Sequence, residues 1–268
     1  MKEKLSAQLT AAARDLLTST VAILKDPEQS LARRVHRVRT TGKKMRAWLR
    51  LLGFQAGPDL ERELERFREA GRRLAPMREG WVQDLLMAEM VGEAEPEPPD
   101  EADAPTLEAL AACQADLEGA LRWLERWTCP VAGIDDIAPG LEDTYGKARE
   151  ARERARETPG DEHFHALRKW VKYHYYQLGM LQRPGRQKFA RRLQHLDTLG
   201  DLLGGAHDLA ELQKRPRVLG DPGLAARVEA LKQARYAEAE ATAKRVFSLN
   251  VKELRRQVRH LWAEGRDA

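Results

Sequence analysis

The chain has two cysteines in 268 residues, Cys113 and Cys129, with neither CxxC spacing nor the numbers of a disulfide framework. They read as reduced thiols of a cytosolic protein. No apolar run approaches the roughly 18 to 20 residues needed to span a bilayer, so no membrane partner is expected. Met1-Lys2-Glu3-Lys4 leads into an amphipathic pattern with no apolar signal core. Runs of alternating Val, Ile or Tyr are missing, which excludes a sheet protein. No GxxxxGK[ST] is present, and Pro184-Gly185-Arg186-Gln187-Lys188 is only a turn entering a basic helix. No Ser or Cys has a readable activating partner. The most local absence is acid: residues 29–58 contain no Asp or Glu but eight Lys or Arg.

What is present in that window has helical order. At roughly 100° per residue, His36, Arg39, Lys43, Arg46 and Arg50 share one arc, and Arg33 widens it. Leu31, Val38, Met45, Trp48, Leu49 and Leu52 take the opposite side. This predicts an amphipathic helix with one core face and one cationic face. An ordinary solvated face mixes signs, because opposite charges at i,i+4 attract and like charges repel. A face of one sign calls for an anion.

The pattern recurs at an offset of 129 residues. His36 maps to His165, Arg39 to Arg168, Lys43 to Lys172, Arg62 to Arg191, Gly71 to Gly200, Leu74 to Leu203 and Glu79 to Asp208. One offset held over this span implies a duplicated helical unit. The second copy has its own acid-free window, residues 163–196, again with eight Lys or Arg. The net charge of +4 therefore hides two basic segments in an acidic body, a pattern that suits a local anion site.

Turn signals divide the chain into helix-length pieces. A first helix from Leu5 to Leu24, on a stripe of Leu5, Leu9, Ala12, Leu16, Ile23 and Leu24, ends at Asp26-Pro27. The basic helix runs from about Ser30 to Leu52. Asp59 is expected to cap a third helix that Pro76 ends, and a shorter helix follows to Val91. Gly92 to Pro105 is an acidic, proline-rich linker expected to be mobile. Thr106 is expected to cap the next helix, which ends near Trp127. The second copy is expected to show helices near 140–157, 162–182 and 186–204, a break at Gly204-Gly205, and helices near 223–249 and 251–263. The fold class is all-α, with two pseudo-twofold-related bundles: residues 1–130 form the first and residues 131–268 the second. Cationic faces left over after packing would line a shared basic cleft, extended by Arg62 and Arg66 in copy one and by Arg191 and His195 in copy two. Arginine offers bidentate forks to phosphate oxygens and lysine a point charge.

His36-x-x-Arg39-x-x-x-Lys43-Lys44-x-Arg46 resembles the first signature of the CHAD domain, the conserved histidine α-helical domain. His165-x-x-Arg168-Lys169-x-x-Lys172 resembles its second, and Leu199-Gly200 with His207-Asp208 is similar to the end of that fold's third helix. The resemblance covers about residues 5–263. It implies a pair of four-helix bundles with a central basic pore that binds inorganic polyphosphate. The phosphate-contacting positions it carries over are His36, Arg39, Lys43, Lys44 and Arg46, and His165, Arg168, Lys169 and Lys172. Tyr173 and Tyr175 depart from it, standing where basic residues are usual, and Arg78-Glu79 replaces the usual Arg-Asp. The implied partners are polyphosphate, a separate CYTH-type triphosphatase and polyphosphate-granule components; the implied location is the cytoplasm or those granules.

The expectation is therefore a non-catalytic binding protein with no cofactor. Two rival readings stand beside it. His163, His165, His195 and His207-Asp208 offer the ligand chemistry of a metal-dependent phosphohydrolase, although the surrounding cations would repel a divalent ion. Alternatively, a basic helical cleft meets the backbone requirement of nucleic-acid or general polyanion binding. Sequence-specific recognition is not expected, since Trp48, Trp123 and Trp170 sit at core-like positions rather than among the cations.

Overall fold

The computed structural model describes residues 5–96, 103–182 and 189–263. Among these residues the regular elements are all helical. The first helix, α1 (Leu5–Lys25), buries Leu5, Leu9, Ala13, Leu17, Val21 and Leu24. The stripe is thus turned by one position from Ala12 and Leu16. A polar pair at the far end fixes it: the hydroxyls of Thr20 and Thr41 meet at 2.7 Å in the core, which aims the Leu17 edge inward.

The basic helix α2 (Leu31–Leu52) starts at Ser30, whose hydroxyl accepts the Arg33 N–H at 3.3 Å. It stops where Gly53 turns to φ 54°, a conformation open to glycine. Val35, Val38, Met45, Trp48, Leu49 and Leu52 are buried. The Trp48 indole N–H donates to the Leu9 carbonyl at 3.0 Å, so the largest side chain in this core carries no orphan donor. After a short 3-10 turn, α3 (Leu60–Arg73) and α4 (Ala75–Val91) follow. Asp59 precedes α3 but caps nothing. Its carboxylate accepts from Trp123 Nε1 at 3.0 Å and pairs with Arg62 at 2.7 Å.

The next helix, α5 (Ala104–Arg126), is capped by Asp103, which accepts the Thr106 N–H at 3.0 Å, so Thr106 lies inside the helix. Of the acidic linker, residues 97–102 lie outside the described residues, as does the Pro184 to Lys188 turn. Helix α6 (Ile134–Glu157) begins earlier than the prolines and glycines suggest, because Pro139 is held inside it. Then come α7 (Asp161–Leu181), α8 (Ala190–Leu212), the single turn α9 (Pro216–Leu219), α10 (Pro222–Val246) and α11 (Val251–Ala263). The expected break at Gly204-Gly205 does not occur; α8 runs through both to Leu212. Glycine weakens a helix by about 1 kcal/mol but, unlike proline, does not obstruct its hydrogen bonds.

The chain divides into two compact units. One comprises residues 1–81 and 97–141, the other 82–96 and 142–268. In the first, α2 packs on α1 and α3, and α5 packs on α1 and α3. In the second, α8 packs between α7 and α10. There the end of α4 joins the core through Met90, against Leu209, Leu212, Val218, Leu224 and Val228. None of the described helices is long and apolar enough to cross a membrane.

Candidate functional site

In the first unit, α2 commits part of its charge to holding itself in place. Arg34 Nη2 donates to the Asp26 carbonyl at 2.6 Å, and Arg37 donates to the hydroxyls of Ser19 and Thr20 on α1. Sequence reading counted both as cations without seeing this duty; at 100° per residue they fall away from the ladder, toward the side of Trp48 and Met45, and that was the available signal. Lys44 lies on the same flank. Burial, and then the charge of Arg37, lower its pKa.

Arg39 reaches across to α3, where Nη1 donates to the Gly71 carbonyl at 2.9 Å. Arg46 folds back on its own helix, Nε to the Gly42 carbonyl at 3.2 Å. Lys43, Arg46 and Arg50 are half-buried, while Arg33 and His36 are exposed. His36 Nε2 lies 3.4 Å from the Thr40 hydroxyl.

The third helix does not lengthen this ladder as free charge. Arg62 pairs with Glu63 and Asp59, and the hydrogen bond to Glu63, followed by the contact with Asp59, raises its pKa. Arg66 turns to α5: it binds the buried Glu63 at 2.9 Å and the Asp116 carbonyl at 3.3 Å. The side chains of Arg78 and Glu79 lie outside those described.

In the second unit the start of α7 is tied to α10. Asp161 accepts from the Tyr236 hydroxyl at 2.9 Å and pairs with the buried Lys232 at 3.2 Å. Phe164 stacks on Tyr236 with ring centroids 3.7 Å apart. From there a row of α7 side chains runs along α8. His165 faces His207, ring centroids 4.5 Å apart. Arg168 crosses over Gly204, where an added Cβ would stand 3.4 Å from its Nε. Lys172 crosses over Gly200, where an added Cβ would stand 2.5 Å from its Cε. The two glycines are the groove in which the cations lie.

Lys172 also meets acid. Its Nζ is 3.0 Å from Asp201 and 3.4 Å from Asp197. Tyr175 stands beside them: the Lys172 Nζ lies 5.4 Å from its ring. Burial, and then the charges of Asp197 and Asp201, push its phenol up. Of the two tyrosines that replace basic residues, only Tyr175 reaches this row; Tyr173 is buried in the core. Lys169 lies on an exposed flank over the Trp170 ring at 4.9 Å. Trp170 is itself only half-buried rather than part of the core. Arg191 is exposed and His195 half-buried. Neighbouring Arg192 instead turns inward, to the Val246 carbonyl at 3.0 Å and to the fully buried His174, which burial keeps neutral.

Burial lowers the pKa of His165, with further lowering from His207, Arg168 and Lys169, opposed by Glu211. Cations around an imidazole disfavour its protonated form, and a bound anion would favour it. His163 Nδ1 lies 2.7 Å from the Thr158 carbonyl. Among the described residues no three or more His, Cys, Asp or Glu gather as metal ligands.

The two rows correspond at the offset of 129: Arg39 and Arg168, Lys43 and Lys172, with Gly71 and Gly200 on the facing helix. In each unit an arginine of the histidine-bearing helix reaches across a seam to the helix that follows, Arg39 at Gly71 and Arg168 at Gly204, and in the second Lys172 lies beside it at Gly200. Guanidinium and ammonium groups so placed can offer an anion several charge-assisted hydrogen bonds at once. A family model described as the CHAD domain matches residues 7–217. No curated protein and no solved structure matches the chain.

Proposed function

Since the chain belongs to the CHAD family, we propose that it binds inorganic polyphosphate, without turning it over, through the basic seams of both units. The observation that carries this reading is the row of cations laid over glycines in the second unit, Arg168 at Gly204 and Lys172 at Gly200, with the corresponding Arg39 of the first unit bonded to the Gly71 carbonyl. Regularly spaced cations suit an extended chain of phosphates, because each adds one contact to a tether already formed. Guanidinium and ammonium groups bind non-bridging oxygens and neutralise them. Affinity should rise with chain length and fall steeply with salt, as counterions are released. In this reading the two repeats are bundles around a basic pore. The protein works in the cytoplasm or on polyphosphate granules, and a separate CYTH-type triphosphatase is a fitting partner.

A competition titration at fixed salt tests the reading, using long polyphosphate, triphosphate and single- and double-stranded DNA. Metal content and phosphate release are read on the same sample. Preference for long polyphosphate without release supports it. Equal binding of DNA at matched charge reduces the site to a general polyanion groove. Release of phosphate with stoichiometric metal turns the assignment toward an enzyme. Replacing Arg39, Lys43, Arg168 and Lys172 with Ala together should weaken long-chain binding about a hundredfold or more, at roughly 1 kcal/mol per charged contact. Unchanged affinity would displace the site.

A further inference from the structure

The two seams correspond in sequence but not in charge. Lys43, Arg46, Arg68 and Arg72 of the first copy correspond to Lys172, Tyr175, Asp197 and Asp201 of the second. Four cations become one cation and two anions. Arg68 and Arg72 are themselves bonded to Glu65 and Glu69 on their own helix. In the second unit both acids turn to Lys172.

We propose that Asp197 and Asp201 are a built-in competing anion for Lys172, so that the second seam takes phosphate only from a chain able to displace them. The inference rests on the polyphosphate reading. Lys172 is held low, its side chain 18% exposed and its stem across Gly200. The carboxylates lie further out, Asp197 48% and Asp201 74% exposed. An approaching phosphate therefore meets negative charge before it meets the ammonium. Tyr175 stands beside the same lysine, whose Nζ lies 5.4 Å from its ring.

Half-exposed pairs of this kind are weak, each worth about 1 kcal/mol or less. A lone phosphate or triphosphate has no means of raising its local concentration against them. A long chain anchored elsewhere does, because its next phosphates arrive at high effective concentration. The acids thus act as a length filter at the cost of some affinity for every ligand.

The test compares wild type with Asp197→Asn plus Asp201→Asn, by calorimetric titration with triphosphate and with long polyphosphate. Triphosphate should bind the variant about three- to tenfold tighter, the range set by two weak pairs. Long chains should gain less, so the long-to-short preference shrinks. Adding Lys172→Ala to the variant should abolish the gain. The single Asp201→Asn change, on the more exposed side chain, gives a smaller shift of the same sign and keeps the test readable if the double variant loses helical signal. A wild type that binds neither ligand removes the polyphosphate reading and this inference with it. A wild type that prefers long chains beside a variant with no gain overturns the inference alone. Weaker binding by the variant in magnesium would also overturn it, since the carboxylates would then be recruiting a cation.

Discussion

His165 carries the clearest pH signature. In the unliganded protein burial and three neighbouring basic groups hold its pKa below the ordinary histidine value. A bound polyanion reverses the sign of that environment and favours the imidazolium. Binding should take up a proton near neutral pH, and affinity should increase as pH falls from about 8 to 6. Calorimetry in two buffers of different ionisation enthalpy measures the uptake, and His165→Ala should flatten the dependence. Without ligand the sign is opposite for the fold: a depressed histidine costs stability as pH drops below the unfolded value of about 6.5. At this scale the sequence shows which residue types share a helical face but not the side-chain commitments. It placed Arg39, Lys43, Arg168 and Lys172 on cationic faces. It did not reveal that Arg34 and Arg37 hold α1, that Arg62 and Arg66 are paired with acids, or that Tyr173 is core while Tyr175 is not. Each depends on what a neighbouring helix offers across the gap, and a periodicity within one helix contains no such information.

Helix ends were readable at Ser30 and Pro76, whereas Asp59 makes no side-chain cap and Thr106 lies inside its helix. Reading failed where a breaker was absorbed. Pro139 sits within α6, and Gly204-Gly205 pass through α8. In the second case sequence supplied the wrong reason for the right residues: those glycines make space rather than bends, since Arg168 and Lys172 lie against α8 at Gly204 and Gly200. Another glycine gives the element-scale prediction. Gly140 in α6 abuts the backbone carbonyls of Arg50 and Leu51 at the end of α2, and an added Cβ would overlap them. Backbone at a helix end yields less easily than a side-chain tip. Gly140→Ala should therefore destabilise the protein by about 1–3 kcal/mol, despite alanine's better helix propensity. Thermal or denaturant unfolding checks it, and an unchanged or raised midpoint would show that α6 shifts freely along α2.

Across the whole molecule, charge bookkeeping was the most informative part of the sequence. A balance of 46 basic against 42 acidic residues looks neutral until the two acid-free windows are separated from the rest. The all-helical class followed from missing strand signals and from composition. What no local signal announced is how the chain is shared between the two units. Helix α4 starts in one and ends in the other, and α5 returns to the first. Met90, Glu93 and Asp84 are thereby held by the second unit, through the apolar cluster, Arg217 and Arg215. Meanwhile α5 is held by the first, through Lys25 to Glu118 and Arg73 to Asp116. Consider the chain severed once, between Pro96 and Asp103. The front fragment would own three helices of one unit and a piece of the other's core; the back fragment would own the remainder of both. Neither could leave without opening two hydrophobic interiors, so the halves should co-purify under native conditions and part only in denaturant. If they separate freely in buffer, the interlock is too weak to matter. If they stay together, the molecule behaves as a laced object, in which the continuous thread is dispensable once the crossings are drawn tight.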